Sequence, residues 1–119
     1  MVVLDIMSAS LIQYLPLLKL LVRSSPSGRK ALLQQADGKF IVLLVECCHN
    51  ANKGNIAFKP RIKEKLHKHA SVIRKVASGK LAHRSLQKKR KLLVQYGGFL
   101  PALLAPVLAI ARSLIGELI

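Results

Sequence analysis

The sequence predicts an all-α protein: a small helical domain with two basic amphipathic helices and a hydrophobic C-terminal helix or tail. Apolar residues recur every three to four positions through much of the chain, which is the spacing of one helix face. Ser and Asp residues stand where such segments would begin, as helix caps do. The 119 residues, 51% of them apolar, are enough for one domain with a core but hardly for two.

Charge divides the chain into three parts. Residues 1–58 form an apolar helical part with six basic and three acidic residues, and residues 59–98 form a basic helical part of the same domain with thirteen and one. Residues 99–119 form a hydrophobic C-terminal tail with one of each. The whole chain has a net charge of +15, which predicts a polyanionic partner such as nucleic acid or anionic lipid.

The first helix is predicted within "LIQYLPLLKLLVRSS", where Pro16 limits the position at which it can begin. Its apolar positions at helical spacing are Leu11, Tyr14 or Leu15, Leu18 and Val22. The turn "SSPSGRK" follows and offers three N-cap candidates for a short helix over "RKALLQQA". These candidates are Ser24, Ser25 and Ser27.

A continuous apolar run from Phe40 to Val45 follows the potential cap Asp37. By periodicity alone, this run fits either a buried strand or a buried helix. No helix breaker occurs between the run and Gly54, so the residues after it extend the segment. This favours a buried helix.

The basic part predicts two helices. The first covers "FKPRIKEKLHKHASVIRKVASGK" as one basic amphipathic helix that ends at Gly79. Its apolar stripe consists of Ile62, Leu66, Ile73 and Val76. The second covers "HRSLQKKRKLLVQY" and is predicted to be capped by Ser85.

Nucleic-acid binding through phosphate contacts is the recognition mode that this composition favours. The chain has no Trp and only five Phe or Tyr residues, too few for the aromatic platforms that stack single-stranded bases. "KKRK" at residues 88–91 also matches a short nuclear localisation signal. The predicted nucleic-acid contacts are Lys59, Arg61, Lys63, Lys65, Lys68, Arg74, Lys75, Arg84, Lys88, Lys89, Arg90 and Lys91.

The tail is apolar for thirteen residues from Phe99 to Ala111. A bilayer span needs about 20 such residues, and the tail reaches that length only with Arg112 and Glu117 near an interface. Pro101 suits the first turn of a helix, whereas Pro106 argues against a single straight span. A membrane span, an interfacial helix and a helix packed on the domain core all remain open.

Catalysis and metal binding are not expected. Cys47, Cys48 and His49 are adjacent, whereas zinc sites use spaced Cys pairs, and the further histidines His67, His69 and His83 lie among lysines. We expect buried, reduced thiols, no metal, no cofactor and no enzymatic activity. Asp5 in the opening stretch argues against a secretory signal, so we expect an intracellular setting.

A basic stretch, then Gln95-Tyr96-Gly97-Gly98, then a Leu-Pro-rich tail from Phe99 resembles the precursor of adenovirus core protein X. It is also similar to short proteins of adintoviruses and Maverick or Polinton elements. The resemblance covers about residues 84–119 and implies cleavage after Gly98 by an adenain-type cysteine protease. The two glycines are expected to stop the basic helix and leave this bond accessible outside regular structure.

The resemblance implies a virion core protein precursor that binds and condenses double-stranded DNA without sequence specificity, located in the virion core or the host nucleus. Its expected partners are double-stranded DNA, the adenain-type protease, other virion proteins and a membrane contacted through residues 99–119. The related core proteins are rich in Arg before the cleavage site, whereas this chain uses mostly Lys. Arg binds phosphate through two parallel hydrogen bonds, whereas Lys binds it as a point charge. The alternatives are a C-terminally membrane-anchored or membrane-active basic protein, and an RNA-binding accessory protein.

Overall fold

The computed structural model describes residues 9–54, 56–78 and 83–118, with the side chains of 86–109, 111 and 112 described in the last range. Within these ranges the chain contains no strand, and residues 9–13 are helical ahead of seven longer helices. The all-α prediction is therefore confirmed. The helices are α1 (Leu15–Arg23), α2 (Pro26–Gln35), α3 (Gly38–Asn52), α4 (Pro60–His67), α5 (Ala70–Ala77), α6 (His83–Tyr96) and α7 (Leu100–Leu118).

Pro16 sets the beginning of α1, as the sequence predicts. It occupies the first turn, where its missing N–H leaves no helical hydrogen bond unmade. The backbone N–H of Tyr14 donates to the carbonyl of Ser10 (3.0 Å), so the preceding helical residues join α1 at this point. The face of α1 turned to the core carries Leu15, Leu18 and Leu21.

Side-chain caps begin α2 and α3. Ser25 is the one serine of the three candidates that caps α2: its Oγ accepts from the backbone N–H of Gly28 (3.1 Å). Asp37 caps α3 through Oδ1, which accepts from the N–H of Phe40 (2.8 Å). The apolar run is therefore a buried helix and not a strand, and the turn after it contains Gly54 at φ +77°.

The predicted single helix after Phe58 is wrong, because the chain forms α4 and α5 with a break at Lys68 and His69. The N–H of His69 bonds to the carbonyl of Leu66 (2.9 Å), three residues back, so the end of α4 is tightened. No Pro or Gly marks this break in the sequence. It has a tertiary cause: α5 packs against α3 and α6, whereas α4 packs against α7.

The predicted cap of the second basic helix is also wrong. Helix α6 begins at His83, so Ser85 lies within its first turn. Gly79, the predicted end of the preceding helix, lies outside the described residues. Helix α6 ends at Tyr96, and a short 3₁₀ turn (Gly97–Phe99) joins it directly to α7.

Helix α7 packs on the core of the domain, which is the third of the alternatives for the tail. It contacts α1, α3 and α4. Pro101 lies in its first turn as predicted, and the helix continues through Pro106. The fully buried side chains on its inner face are Leu100, Leu103, Leu104, Val107 and Ala111. These residues belong to the same core as α1 and α3.

Candidate nucleic-acid interface

Seven basic side chains lie exposed along α4, α5, the break between them and the residue before α4. We call this set the cationic face; it consists of Lys59, Arg61, Lys63, Lys65, Lys68, Arg74 and Lys75. Of the predicted apolar stripe on these two helices, Leu66, Ile73 and Val76 are buried and Ile62 is half-buried. Burial of this stripe turns the charges outward, and Glu64 is the one acidic residue between positions 59 and 75.

The four residues of "KKRK" are divided between surface and interior. Lys88 and Lys91 are exposed. Lys89 is only 3% exposed, and its Nζ donates to the backbone carbonyl of Ser78. Burial holds the pKa of Lys89 below its ordinary value.

Arg90 joins α6 to the end of α2. Its Nη1 donates to the carbonyls of Leu33 and Ala36, at 2.7 Å each. These carbonyls lie at the C-terminal end of α2, where a helix leaves carbonyl groups without internal partners. Lys89 and Arg90 are thus bound to backbone carbonyls within the fold. Of the four adjacent phosphate contacts that the sequence predicts, the folded protein exposes only Lys88 and Lys91.

Two further positions modify the predicted contact set. Arg84 lies in the first turn of α6, and its side chain is outside those described. Lys30 was not predicted, yet it lines a surface groove of about 510 Å³ together with Gln34, Lys91 and Gln95. Lys30 and Lys91 are far apart in sequence and line the same groove because α2 packs on α6. No local sequence pattern therefore indicates this pair.

The cysteines are buried in α3 and are not joined in a disulfide. Burial raises the pKa of the Cys48 thiol to about 12, and it also raises the pKa of Cys47. Protonated thiols inside a core are inert. Among the described residues, no three His, Cys, Asp or Glu side chains are grouped so that they could hold a metal ion. His69 lies instead against the ring of Phe99, at 6.0 Å between ring centroids.

The expectation that the Gly98–Phe99 bond is accessible and outside regular structure is wrong. The bond lies in the 3₁₀ turn between α6 and α7. Gly98 is exposed, but Gly97 is buried and Phe99 is 1% exposed. A Cβ added at Gly97 would lie 3.1 Å from Cδ1 of the buried Leu100. A protease that binds its substrate as an extended strand therefore needs this turn to unwind first.

Comparisons with protein families, curated proteins and solved structures find no match to this chain. Among the described residues, one helical stretch, Leu86–Ala109, is long and apolar enough to cross a membrane. Almost half of its most apolar window is buried within the domain, and core helices of soluble proteins pass the same test.

Proposed function

We propose that this protein binds duplex DNA without sequence preference through the cationic face, with Lys30, Lys88 and Lys91 as further phosphate contacts. The observation that carries the proposal is the exposure of seven cations within seventeen residues that contain one acidic side chain. Such a surface repels itself unless an anion neutralises it. Binding to DNA phosphates releases condensed counterions and supplies the affinity.

The aromatic side chains support phosphate contacts over base recognition. Phe40 and Phe99 are buried, and Tyr14 and Phe58 are half-buried. Tyr96 is 49% exposed and lies at the end of α6. One exposed ring does not make a stacking platform, so single-stranded bases would find little to stack on.

A virion core role is supported by the resemblance of residues 84–119 to core protein X precursors. In this proposal, the folded chain is the precursor, and cleavage after Gly98 follows release of α7 from the core. This maturation carries a condition, since the buried Gly97 and Phe99 must leave their positions in the 3₁₀ turn before the bond fits a protease cleft. Condensation of DNA then belongs to residues 1–98 after their core has opened.

A membrane-anchored or membrane-active protein is the second candidate, and the stretch Leu86–Ala109 favours it. Basic residues before an apolar segment also fit the cytoplasmic side of a membrane. Insertion would remove Leu93, Leu103 and Leu104, all fully buried, from the domain core. This candidate therefore needs a lipid-induced opening of the fold, whereas DNA binding uses side chains that are already exposed.

The salt dependence of duplex DNA binding tests the proposal. We expect Lys65→Gln/Lys68→Gln to reduce the slope of log K against log salt by about 1.8, because each lost phosphate contact removes about 0.9. The matched control is Arg23→Gln/Lys39→Gln, which removes the same charge from exposed positions on α1 and α3. Equal slopes for the two variants would remove the cationic face from the binding site. Tighter binding of duplex RNA in competition would favour an RNA-binding accessory protein instead.

A further inference from the structure

A groove of about 570 Å³ lies where the chain after α3 meets α4 and α5. Its floor is apolar, with Ile56, Leu66 and Ile73 at 3, 7 and 6% exposure. Lys63 and Arg74 stand on its rim and are exposed. No acidic residue is among the described residues that line it. The volume falls in the range of about 300–1,000 Å³ that is typical of small-molecule sites.

We propose that this groove binds a free single-chain anionic amphiphile, with its alkyl chain on the apolar floor and its anionic head between Lys63 and Arg74. Charge complementarity selects the sign of the head group, because the rim carries two cations and no carboxylate. The apolar floor selects the alkyl chain, since burying each CH₂ group against it gains about 0.8 kcal/mol. The proposal goes beyond DNA binding and does not rest on it.

Duplex DNA does not match the floor of this groove, because its outer surface is a row of phosphates and sugars. An intact bilayer does not match it either. The floor residues are almost fully buried, so an alkyl chain must leave its bilayer to reach them. Lys63 and Arg74 also belong to the cationic face, so a bound amphiphile would engage two of its seven cations and lower the charge of that face by one.

Dodecanoate, kept below the concentration at which it forms micelles, is the probe that tests the groove. We expect saturable shifts of the backbone amide NMR signals of Ile56, Leu66 and Ile73 when it is added to the full chain. Dodecyltrimethylammonium has the same chain length and the opposite charge, and we expect no saturable binding. Equal binding of the two probes, or shifts confined to residues outside the groove, would overturn the proposal.

Two pairs of variants separate the groove from general charge attraction. Ala70→Trp fills the groove from its lining and should abolish dodecanoate binding, whereas Ser71→Trp places the same ring on the exposed side of α5. Lys63→Glu should weaken binding about fivefold, as expected for one lost surface charge contact. Lys39→Glu makes the same charge change on α3, outside both the lining and the cationic face, and should bind as the wild type does.

Unchanged dodecanoate binding by Ala70→Trp, or equal weakening by Lys39→Glu and Lys63→Glu, would contradict the groove as the site. The amide spectrum of each variant shows whether it is folded, and the two surface Glu variants keep the test decisive if Ala70→Trp does not fold. Binding to phosphatidylglycerol vesicles without binding to free dodecanoate would show that the basic residues bind a membrane surface. That result would overturn the proposal. These titrations contain no nucleic acid, so their failure leaves the DNA proposal untouched.

Discussion

Arg90 connects two helices that are more than fifty residues apart in sequence. Its guanidinium donates to carbonyls at the end of α2 that would otherwise lack partners. We expect Arg90→Ala to lower the free energy of unfolding by about 1–3 kcal/mol, the cost of leaving part-buried carbonyls unpaired. Urea denaturation measures this change. Lys91→Ala, at the exposed neighbouring position, should change stability by less than about 0.5 kcal/mol, and equal losses would refute the role assigned to Arg90.

The burial of Lys89 makes the stability of the folded protein depend on pH, and it also sets the direction of that dependence. Its pKa is lower in the folded protein than the value of about 10.4 in an unfolded chain. Between those two pKa values the unfolded chain binds more protons, so the contribution of this group to stability rises with pH. At lower pH the folded protein must hold a buried ammonium group.

Lys89→Met removes this buried charge and keeps the length of the side chain. We expect the stability of Lys89→Met relative to wild type to be greatest near pH 7 and to decline as the pH is raised toward 10. Denaturation at several pH values measures the difference, with the exposed Lys88→Met as control. A difference that does not vary with pH would show that Lys89 has an ordinary pKa.

At the scale of the helices, the two adjacent glycines have different structural roles. Space beside Gly98 is open, whereas a Cβ at Gly97 would approach the buried side chain of Leu100. We expect Gly98→Ala to raise stability by about 0.4–1 kcal/mol, because alanine reduces the freedom of the unfolded chain. Gly97→Ala should be about 1–3 kcal/mol less stable than Gly98→Ala, since it overpacks the turn. Equal melting temperatures for the two variants would contradict this packing.

Helix limits were predictable where the signal lies within a few residues. The side chains of Ser25 and Asp37 reach only three residues ahead to cap α2 and α3, so the sequence indicates Asp37 as a cap and Ser25 as one of three serine candidates. The break at Lys68 and His69 was not predictable in this way. It arises because α4 and α5 pack against different helices, and no local residue specifies it.

At the scale of the whole molecule, α7 supplies a large part of the hydrophobic core. Its inner side chains contact α1 and α3, which carry much of the remaining core. Burying one Leu or Val side chain contributes about 1.5–3 kcal/mol, and a domain of this size has a net stability of about 5–15 kcal/mol. Leu100, Leu103, Leu104 and Val107 on α7 would together contribute about 6–12 kcal/mol, which is comparable with that whole net stability.

A chain that ends at Gly98 is therefore expected to lose cooperative unfolding. Circular dichroism during heating measures this, with the full chain as reference. The same experiment on Gly98→Ala in the full-length chain controls for changes at the junction alone. A cooperative transition in the shortened chain at the melting temperature of the full chain would show that α7 is dispensable for the core.

The sequence by itself determined the helical character of the chain, the cap of α3 and the concentration of positive charge after residue 58. These properties follow from residue type and from contacts within one or two helical turns. Only the tertiary structure decided which cations are free, because Lys88 and Lys89 are chemically alike and differ only in what packs around them. It also decided that Gly97 is buried and that the apolar tail completes the core, since burial depends on contacts between helices far apart in the chain.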